Sequence, residues 1–237
     1  MTAELLKQEL FQIADPQKEA FLPYFFKTGK GQYGEGDKFI GVVVPKQRAL
    51  VKKYKTLEFK EIDSLLTDEY HECRMLALFF LVEKFKKSKD ENERENIYTY
   101  YIGKADRINN WDLVDLSAKD IVGAFLWDKS KEPLYKYAQT NHLWLQRISI
   151  ISTFYFIQHK SYTDTLVIAR ILLNHPHDLI HKAVGWMLRE VGKRDLDILL
   201  QFLLEESRYK VMPRTMLRYS IERFPEVLRQ QFLKGQI

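Results

Sequence analysis

The chain has 237 residues, 46% of them hydrophobic and 29% charged, with a mean hydropathy of −0.34. No apolar run reaches the roughly 18 residues a membrane helix needs, and Met1-Thr2-Ala3-Glu4 lacks the basic start of a signal peptide, so a cytoplasmic protein without a membrane partner is expected. The single cysteine, Cys73, excludes an internal disulfide and a cysteine-rich zinc site, while Lys plus Arg exceed Asp plus Glu by 37 to 32, a net +5 that suits a polyanionic partner if it gathers on one face.

Capping and hydrophobic patterns read as helix after helix. Asp15-Pro16 is an N-cap followed by proline at the first helical position, and Val44-Pro45 opens another helix in the same way. Further starts are predicted at Thr67-Asp68, Asp90, Asn109-Asn110, Thr140-Asn141, Ser161, Pro176-His177, Arg194-Asp195, Met212-Pro213 and Pro225. They recur about every 15 to 20 residues, and pairs of such helices give a unit of about 40, the period of HEAT-type repeats. The expected fold is an all-α, HEAT-like helical-repeat solenoid with a concave binding face. A single domain over residues 1–237, acting as a monomer, is expected.

One segment breaks the pattern. Thr28 to Val44 holds five of the ten glycines and ends in a β-branched run. Gly29, Gly31 and Gly34 spell a literal G-x-G-x-x-G, but the dinucleotide fingerprint must follow a strand and open a helix. Here it follows the helical Tyr24-Phe25-Phe26-Lys27 and leads into an extended segment. The segment reads instead as a mobile loop or short hairpin carrying Lys30 and Lys38.

Three predicted helices carry residues out of place. In 110–127, Leu113, Val114, Ile121, Val122, Phe125 and Leu126 hold the helix down, while Trp111, Asp115 and Lys119 follow one another at four-residue spacing on another face. Asp112 suits the first turn of a helix; Asp115 lies past that turn and needs another reason. Residues 143–158 are apolar almost all round and should form the most enclosed helix. Its only charge, Arg147, requires a carboxylate such as Asp112 or Asp115, a phosphate, or access to a cleft. In 177–192, Ile180, Val184, Met187, Leu188 and Val191 make the buried stripe. Trp186 lies more than about 120° away on a 100°-per-residue wheel, near Lys182 and Arg189, where it either packs on the next helix or faces a ligand.

Together these residues are recognisable. Asn110-Trp111-Asp112-Leu113-Val114-Asp115, then Leu143-Trp144-Leu145-Gln146-Arg147, then Lys182-Ala183-Val184-Gly185-Trp186-Met187-Leu188-Arg189-Glu190 resemble, in order and spacing, three motifs of the AlkD-type DNA alkylation repair family. The resemblance runs through nearly the whole chain, including Pro45-Lys46-Gln47-Arg48. It implies a superhelix holding double-stranded DNA in a basic concave face, and an N-glycosylase activity on cationic alkylpurines such as 3-methyladenine and 7-methylguanine, with no cofactor. It implies that Trp111 and Trp186 lie against the deoxyribose backbone, that Asp115 stands beside the anomeric carbon, and that Arg147 stands near the phosphate and that acid. Tyr24 matches a tyrosine of the family's second helix, and Tyr24, Lys30, Lys38, Arg48, Lys182 and Arg189 are the expected DNA contacts.

The resemblance departs at Thr28–Val44. Prototypes that excise alkylpurines have a shorter connection there, and relatives with an inserted hairpin resemble binders of branched DNA. A second expectation is therefore a DNA-structure-binding protein without efficient excision, and a third is a helical scaffold for protein partners. His175, His177 and His181 could be drawn as a metal cluster but lack the spacing of a zinc motif, so no metal is expected. Cys73 reads as a small core residue. The lysines at 52, 53 and 55 and at 84, 86, 87 and 89 read as solvated helix ends or as phosphate contacts.

Overall fold

The computed structural model describes residues 1–237, an all-α chain without strands that divides into two compact units, Met1–Ile121 and Val122–Ile237. The first unit holds α1 (Ala3–Gln12), α2 (Pro16–Phe25), α3 (Val44–Tyr54), α4 (Phe59–Leu66), α5 (His71–Lys87), α6 (Glu91–Gly103) and α7 (Trp111–Ala118). Local chemistry fixes most of these starts. Thr2, Asp15, Asp90 and Asn110 sit at N-caps with their side-chain oxygens accepting backbone N–H groups of the first turn.

Helix α5 is the spine of this unit and packs against α1, α3, α4, α6 and α7. Thirteen of its seventeen residues are buried, against eleven of sixteen in the helix over 143–158, so α5 and not that helix is the more enclosed. Ionisable residues at its start, His71, Glu72 and Arg74, disguise it in the sequence, although all three are buried. It also begins at His71, later than the predicted Thr67-Asp68, because Asp68 Oδ1 holds the Tyr70 amide and Lys38 O takes the His71 amide.

The glycine-rich segment is a chain of turns and an extended run, not a hairpin. Its β-type pairing is one isolated parallel bridge, Lys38 to Tyr70. The β-branched run finds its partners in side chains instead. The carboxylate of Glu72 accepts the amides of Ile40 at 2.9 Å, Gly41 at 2.8 Å and Val42 at 3.1 Å, and Gln47 Nε2 donates to Val42 O at 2.8 Å. Gly41 has φ +90°, and a Cβ there would lie 2.4 Å from Asp15 O, so only glycine fits. The expected mobile arm is thus strapped down over its second half.

Helix α7 widens into a π-turn at Lys119–Gly123 before the short α8 (Ala124–Leu126). The second unit continues with α9 (Glu132–Gln139), α10 (Leu143–Gln158), α11 (Thr163–Ile171), α12 (Asp178–Gly192), α13 (Leu196–Leu204), α14 (Arg208–Val211), α15 (Arg214–Ser220) and α16 (Glu226–Lys234). Here α10 packs against α9, α11 and α12, and α12 packs in turn against α13 and α15. The stripe expected on α12 is buried in full: Ile180, Val184, Met187, Leu188 and Val191. Gly185 allows α15 to approach, since a Cβ there would stand 2.5 Å from Tyr219 Cβ and 2.6 Å from Met216 O.

No helix is long and apolar enough to cross a membrane.

Candidate nucleic-acid interface

At the start of α7, Asn110 Oδ1 accepts the Trp111 amide at 2.9 Å and Asp112 Oδ1 accepts the Leu113 amide at 2.8 Å. These caps orient the first turn, and Trp111 and Asp115, both half-buried, follow one turn apart on the same side. The indole rests on Phe26, with ring centroids 5.4 Å apart and planes inclined by 24°, and Phe25 meets it edge-on at 6.0 Å.

Phe25 belongs to α2, a ten-residue helix with no buried residue. Phe21, Tyr24 and Phe25 on it are 51%, 75% and 47% exposed. Phe21 stacks on Phe25 at 5.9 Å, and the Lys27 ammonium sits 4.7 Å above the Tyr24 ring. Aromatic area left in water beside a tryptophan and an acid suits stacking on bases or sugars, with lysine for the phosphate.

Behind Trp111 lies a buried polar cluster. His71 Nδ1 is 2.9 Å from Asp37 Oδ2, and its Nε2 is 2.9 Å from Asp112 Oδ2. Arg74 pairs with the other oxygen of Asp37 and donates to the carbonyls of Asp68 and Glu69. Asn110 Nδ2 also reaches Asp37, at 3.4 Å. Burial alone would push the His71 pKa down, but the carboxylates of Asp112 and Asp37 outweigh it and raise the value to about 9. Burial works the other way on Asp37, yet His71 and Arg74 hold its pKa below the usual carboxylate value.

Along the other flank of α7 runs a basic groove. Arg48, Lys52 and Lys55 from α3 and its end face Lys86 and Lys87 at the end of α5, above a floor that includes Phe79. The Arg48 guanidinium lies 4.2 Å above that ring. Two carboxylates temper the charge: Asp120 meets Lys86 at 3.0 Å and Glu83 meets Lys87 at 3.7 Å. Leu116 and Asp120 of the α7 segment also line the groove, which places it one residue along from Asp115.

In the second unit, Arg147 is buried in α10, 4% exposed, and Nη1 donates to Leu179 O at 2.6 Å. Trp186 is half-buried, its ring 5.7 Å from Phe154 of the preceding α10. Lys182 pairs with Asp178 at 2.7 Å, and Arg189 pairs with Glu222. The three histidines serve the turn before α12: His177 caps it, His175 Nε2 meets Gln146 Oε1 at 2.9 Å, and His181 Nε2 meets His175 O at 2.5 Å.

Trp111, Asp115, Tyr24, Arg48, Lys30 and Lys38 therefore belong to the first unit, and Arg147, Lys182, Trp186 and Arg189 to the second. Lys30 is exposed on the turn region, and Lys38 pairs with Glu69 at 2.7 Å on the surface. Sequence reasoning missed Asp37, His71, Arg74 and the Phe25-Phe26 backing of Trp111. The visible signal was a cluster of three ionisable residues opening an otherwise apolar stretch at 71–82. Cys73, buried among them, is the core residue expected, and burial pushes its thiol pKa up.

Comparison with known proteins bears on the family and the fold. The family described as DNA alkylation repair enzyme matches residues 6–224. No curated protein matches. Among solved structures, a predicted DNA alkylation repair enzyme from Enterococcus faecalis is 16% identical, covers 90% of this chain and 97% of its own, and superposes with a TM-score of 0.71. Another comes from a family of proteins related to the HEAT-like repeat DNA glycosylases, with affinity for branched DNA structures. It is 13% identical, with coverages of 99% and 95% and a TM-score of 0.61. The fold is an all-α helical repeat of the HEAT-like type.

Proposed function

Because the chain belongs to the DNA alkylation repair enzyme family, we propose that it binds duplex DNA and hydrolyses the N-glycosidic bond of cationic alkylpurines such as 3-methyladenine and 7-methylguanine. The observation that carries this reading is the pair Trp111 and Asp115, one helical turn apart and both partly open to solvent, with the exposed aromatics of α2 beside them.

The chemistry asks for these residue types. An alkylpurine cation is already a good leaving group, because its positive charge is neutralised by the electron pair of the breaking C1′–N9 bond. No general acid is needed. Positive charge passes instead to the sugar as an oxocarbenium ion. Asp115 stabilises that charge and accepts the proton of the water that forms the new C1′–O bond. Trp111 and Trp186 offer electron-rich faces to the sugar. Arg147, 4% exposed with Nη1 on Leu179 O, acts on a phosphate through its charge more than through an open grip, and Lys182 and Arg189 of the second unit supply further cations to the backbone. In the first unit, Tyr24, Lys30 and Lys38 act from the α2 end, and Arg48 acts from the basic groove.

Release of 7-methylguanine and 3-methyladenine from methylated duplex DNA, wild type beside Asp115→Asn, tests this. Release by the wild type alone supports it, and equal release by both removes Asp115 from the chemistry.

One observation favours a second reading. Helix α2 buries none of its residues and leaves three aromatic rings in solvent, which suits unpaired bases at a junction. A protein of similar fold has affinity for branched DNA structures. A folded protein that releases no alkylpurine but prefers a branched over a linear duplex would establish that reading instead.

A further inference from the structure

In the cluster behind Trp111 a doubly protonated ring is the pattern that serves two ionised carboxylates at once. Both ring nitrogens of His71 face carboxylate oxygens, Asp37 Oδ2 and Asp112 Oδ2, each at 2.9 Å. A neutral imidazole carries one N–H, so one of its nitrogens would turn a lone pair toward a carboxylate. With both nitrogens protonated, each donates a charge-assisted bond. The count of charges agrees: Asp37 and Asp112 are matched by His71 and Arg74. The remaining charged neighbours are already engaged. Glu72 is turned to the amides of Ile40, Gly41 and Val42, and Arg107 donates to the carbonyls of Thr67 and Asp68.

The ring faces are equally committed. Phe39 stacks on His71 with centroids 4.7 Å apart, and Phe26 lies against it at 4.9 Å. Phe26 is the ring on which Trp111 rests. His71 therefore touches the glycine-rich loop through Asp37 and Phe39, the start of α7 through Asp112, and the underside of Trp111 through Phe26.

We propose that His71 is an imidazolium tie that fastens the glycine-rich loop to the first turn of α7 and thereby sets where Trp111 and Asp115 stand. It is a positioning residue for the site, not a group that touches DNA. The part of this inference that concerns DNA chemistry rests on the function proposed above; the tie itself does not. The loop, through Asp37 and Phe39, becomes a brace for the site.

Histidine ring nitrogens observed by NMR on 15N-labelled full-length protein decide the tie without DNA. The His71 signal is assigned by its loss in His71→Asn, or in His71→Gln if the first variant does not fold. Expected is an imidazolium with two protonated nitrogens at neutral pH that titrates well above the other histidines and moves down in both Asp37→Asn and Asp112→Asn. A singly protonated ring at neutral pH overturns the proposal. The indole N–H of Trp111, assigned with Trp111→Phe, should shift with the same midpoint as His71; an indole signal indifferent to that transition overturns the link to the site.

Asp37→Asn then tests positioning in function, because Asp37 lies on the loop and meets α7 only at its cap, through Asn110 Nδ2 at 3.4 Å, a contact that an asparagine oxygen can still accept. On methylated DNA it should lower kcat by about tenfold or more with KM within about twofold, the pattern of lost transition-state positioning. An unchanged kcat beside a wild type that releases alkylpurines overturns the positioning role. A wild type that releases none refutes the proposed activity and leaves the ring and indole titrations to decide the tie.

Discussion

Glu72 Oε1 stands 2.8 Å from the amide nitrogen of Gly41, and the same carboxylate takes the amides of Ile40 and Val42 on either side. One buried side chain thus supplies the acceptors that a partner strand would have given this run. In Glu72→Gln a carboxylate oxygen becomes an NH2 group that confronts an amide donor. We expect a loss of about 2 to 4 kcal/mol in urea unfolding, as for a buried group left unpaired. Faster amide exchange at Ile40 to Val42 should accompany it. A variant as stable as the wild type would show that these amides have other partners.

Gly185 should be irreplaceable for a different reason, the spacing of two helices. Its added Cβ would fall within 2.6 Å of both Met216 O and Tyr219 Cβ on α15, and backbone cannot yield as a flexible side-chain tip would. Gly185→Ala should cost roughly 2 kcal/mol or more despite the better helix propensity of alanine. Gly103, at the end of α6, has nothing within 4 Å of such a Cβ. Gly103→Ala should be neutral or stabilise by up to about 1 kcal/mol. Thermal unfolding of the two variants side by side reads the contrast.

The His71 cluster makes stability depend on alkaline pH. Its folded pKa, about 9, lies above the ordinary 6.5, because Asp112 and Asp37 outweigh burial. The stabilisation is therefore complete below about pH 6.5 and is lost as pH rises through about 9. Its full size is on the order of 3 kcal/mol, the equivalent of that shift. The stability gap between wild type and His71→Asn, followed by urea unfolding from neutral to alkaline pH, should shrink across that window. A constant gap would mean that the His71 contribution is packing and not charge.

The contrast between these cases explains what could be read in advance. Helix starts at Pro16, Glu91, Trp111 and Asp178 depend on side-chain caps one residue away, so Asp15, Asp90, Asn110 and His177 announce them in the sequence, while the start at Val44 has no side-chain cap and is announced by Pro45. The three motifs around Trp111, Arg147 and Trp186 were legible for the same reason: each is a short run with its own spacing. The conformation of residues 28–44 was not, because its partners Glu72, His71 and Arg74 lie some 30 residues or more away. Helix α5 defeated periodicity because it is buried on nearly all sides, and its charged first turn imitated a surface.

Phe25 separates an aromatic rim from a core residue. Half of it is exposed, so Phe25→Ala should cost little stability, about 1 kcal/mol or less, although a buried phenylalanine would cost several times that. Its edge contact with Trp111 and its stacking on Phe21 should matter to DNA instead. We expect a loss of about 1 to 3 kcal/mol in affinity for DNA with unpaired bases, the scale of one stacked base, and a smaller loss for perfect duplex. Fluorescence anisotropy with the two DNAs at equal salt measures the difference. Equal losses on both would assign Phe25 to the sugar-phosphate edge and count against the branched-DNA reading.

The basic groove makes the last prediction quantitative through salt. Arg48 and Lys52 line it from α3, and the carboxylates that temper it, Asp120 and Glu83, pair with Lys86 and Lys87 on the opposite wall. The α3 side is therefore where an incoming phosphate meets the least competition. Each cation that neutralises a phosphate releases counterions, so log Kd for duplex should rise with log salt by nearly one unit of slope per contact. Arg48→Gln and Lys52→Gln should each weaken binding at low salt and lower that slope by about one, and the double variant should lower it by about two. Asp120→Asn works in the opposite sense, freeing Lys86 and tightening binding at low salt. If the slopes of both single variants and of the double variant match the wild type, the groove carries no phosphate, and the lysines at the ends of α3 and α5 do no more than offset the helix C-termini.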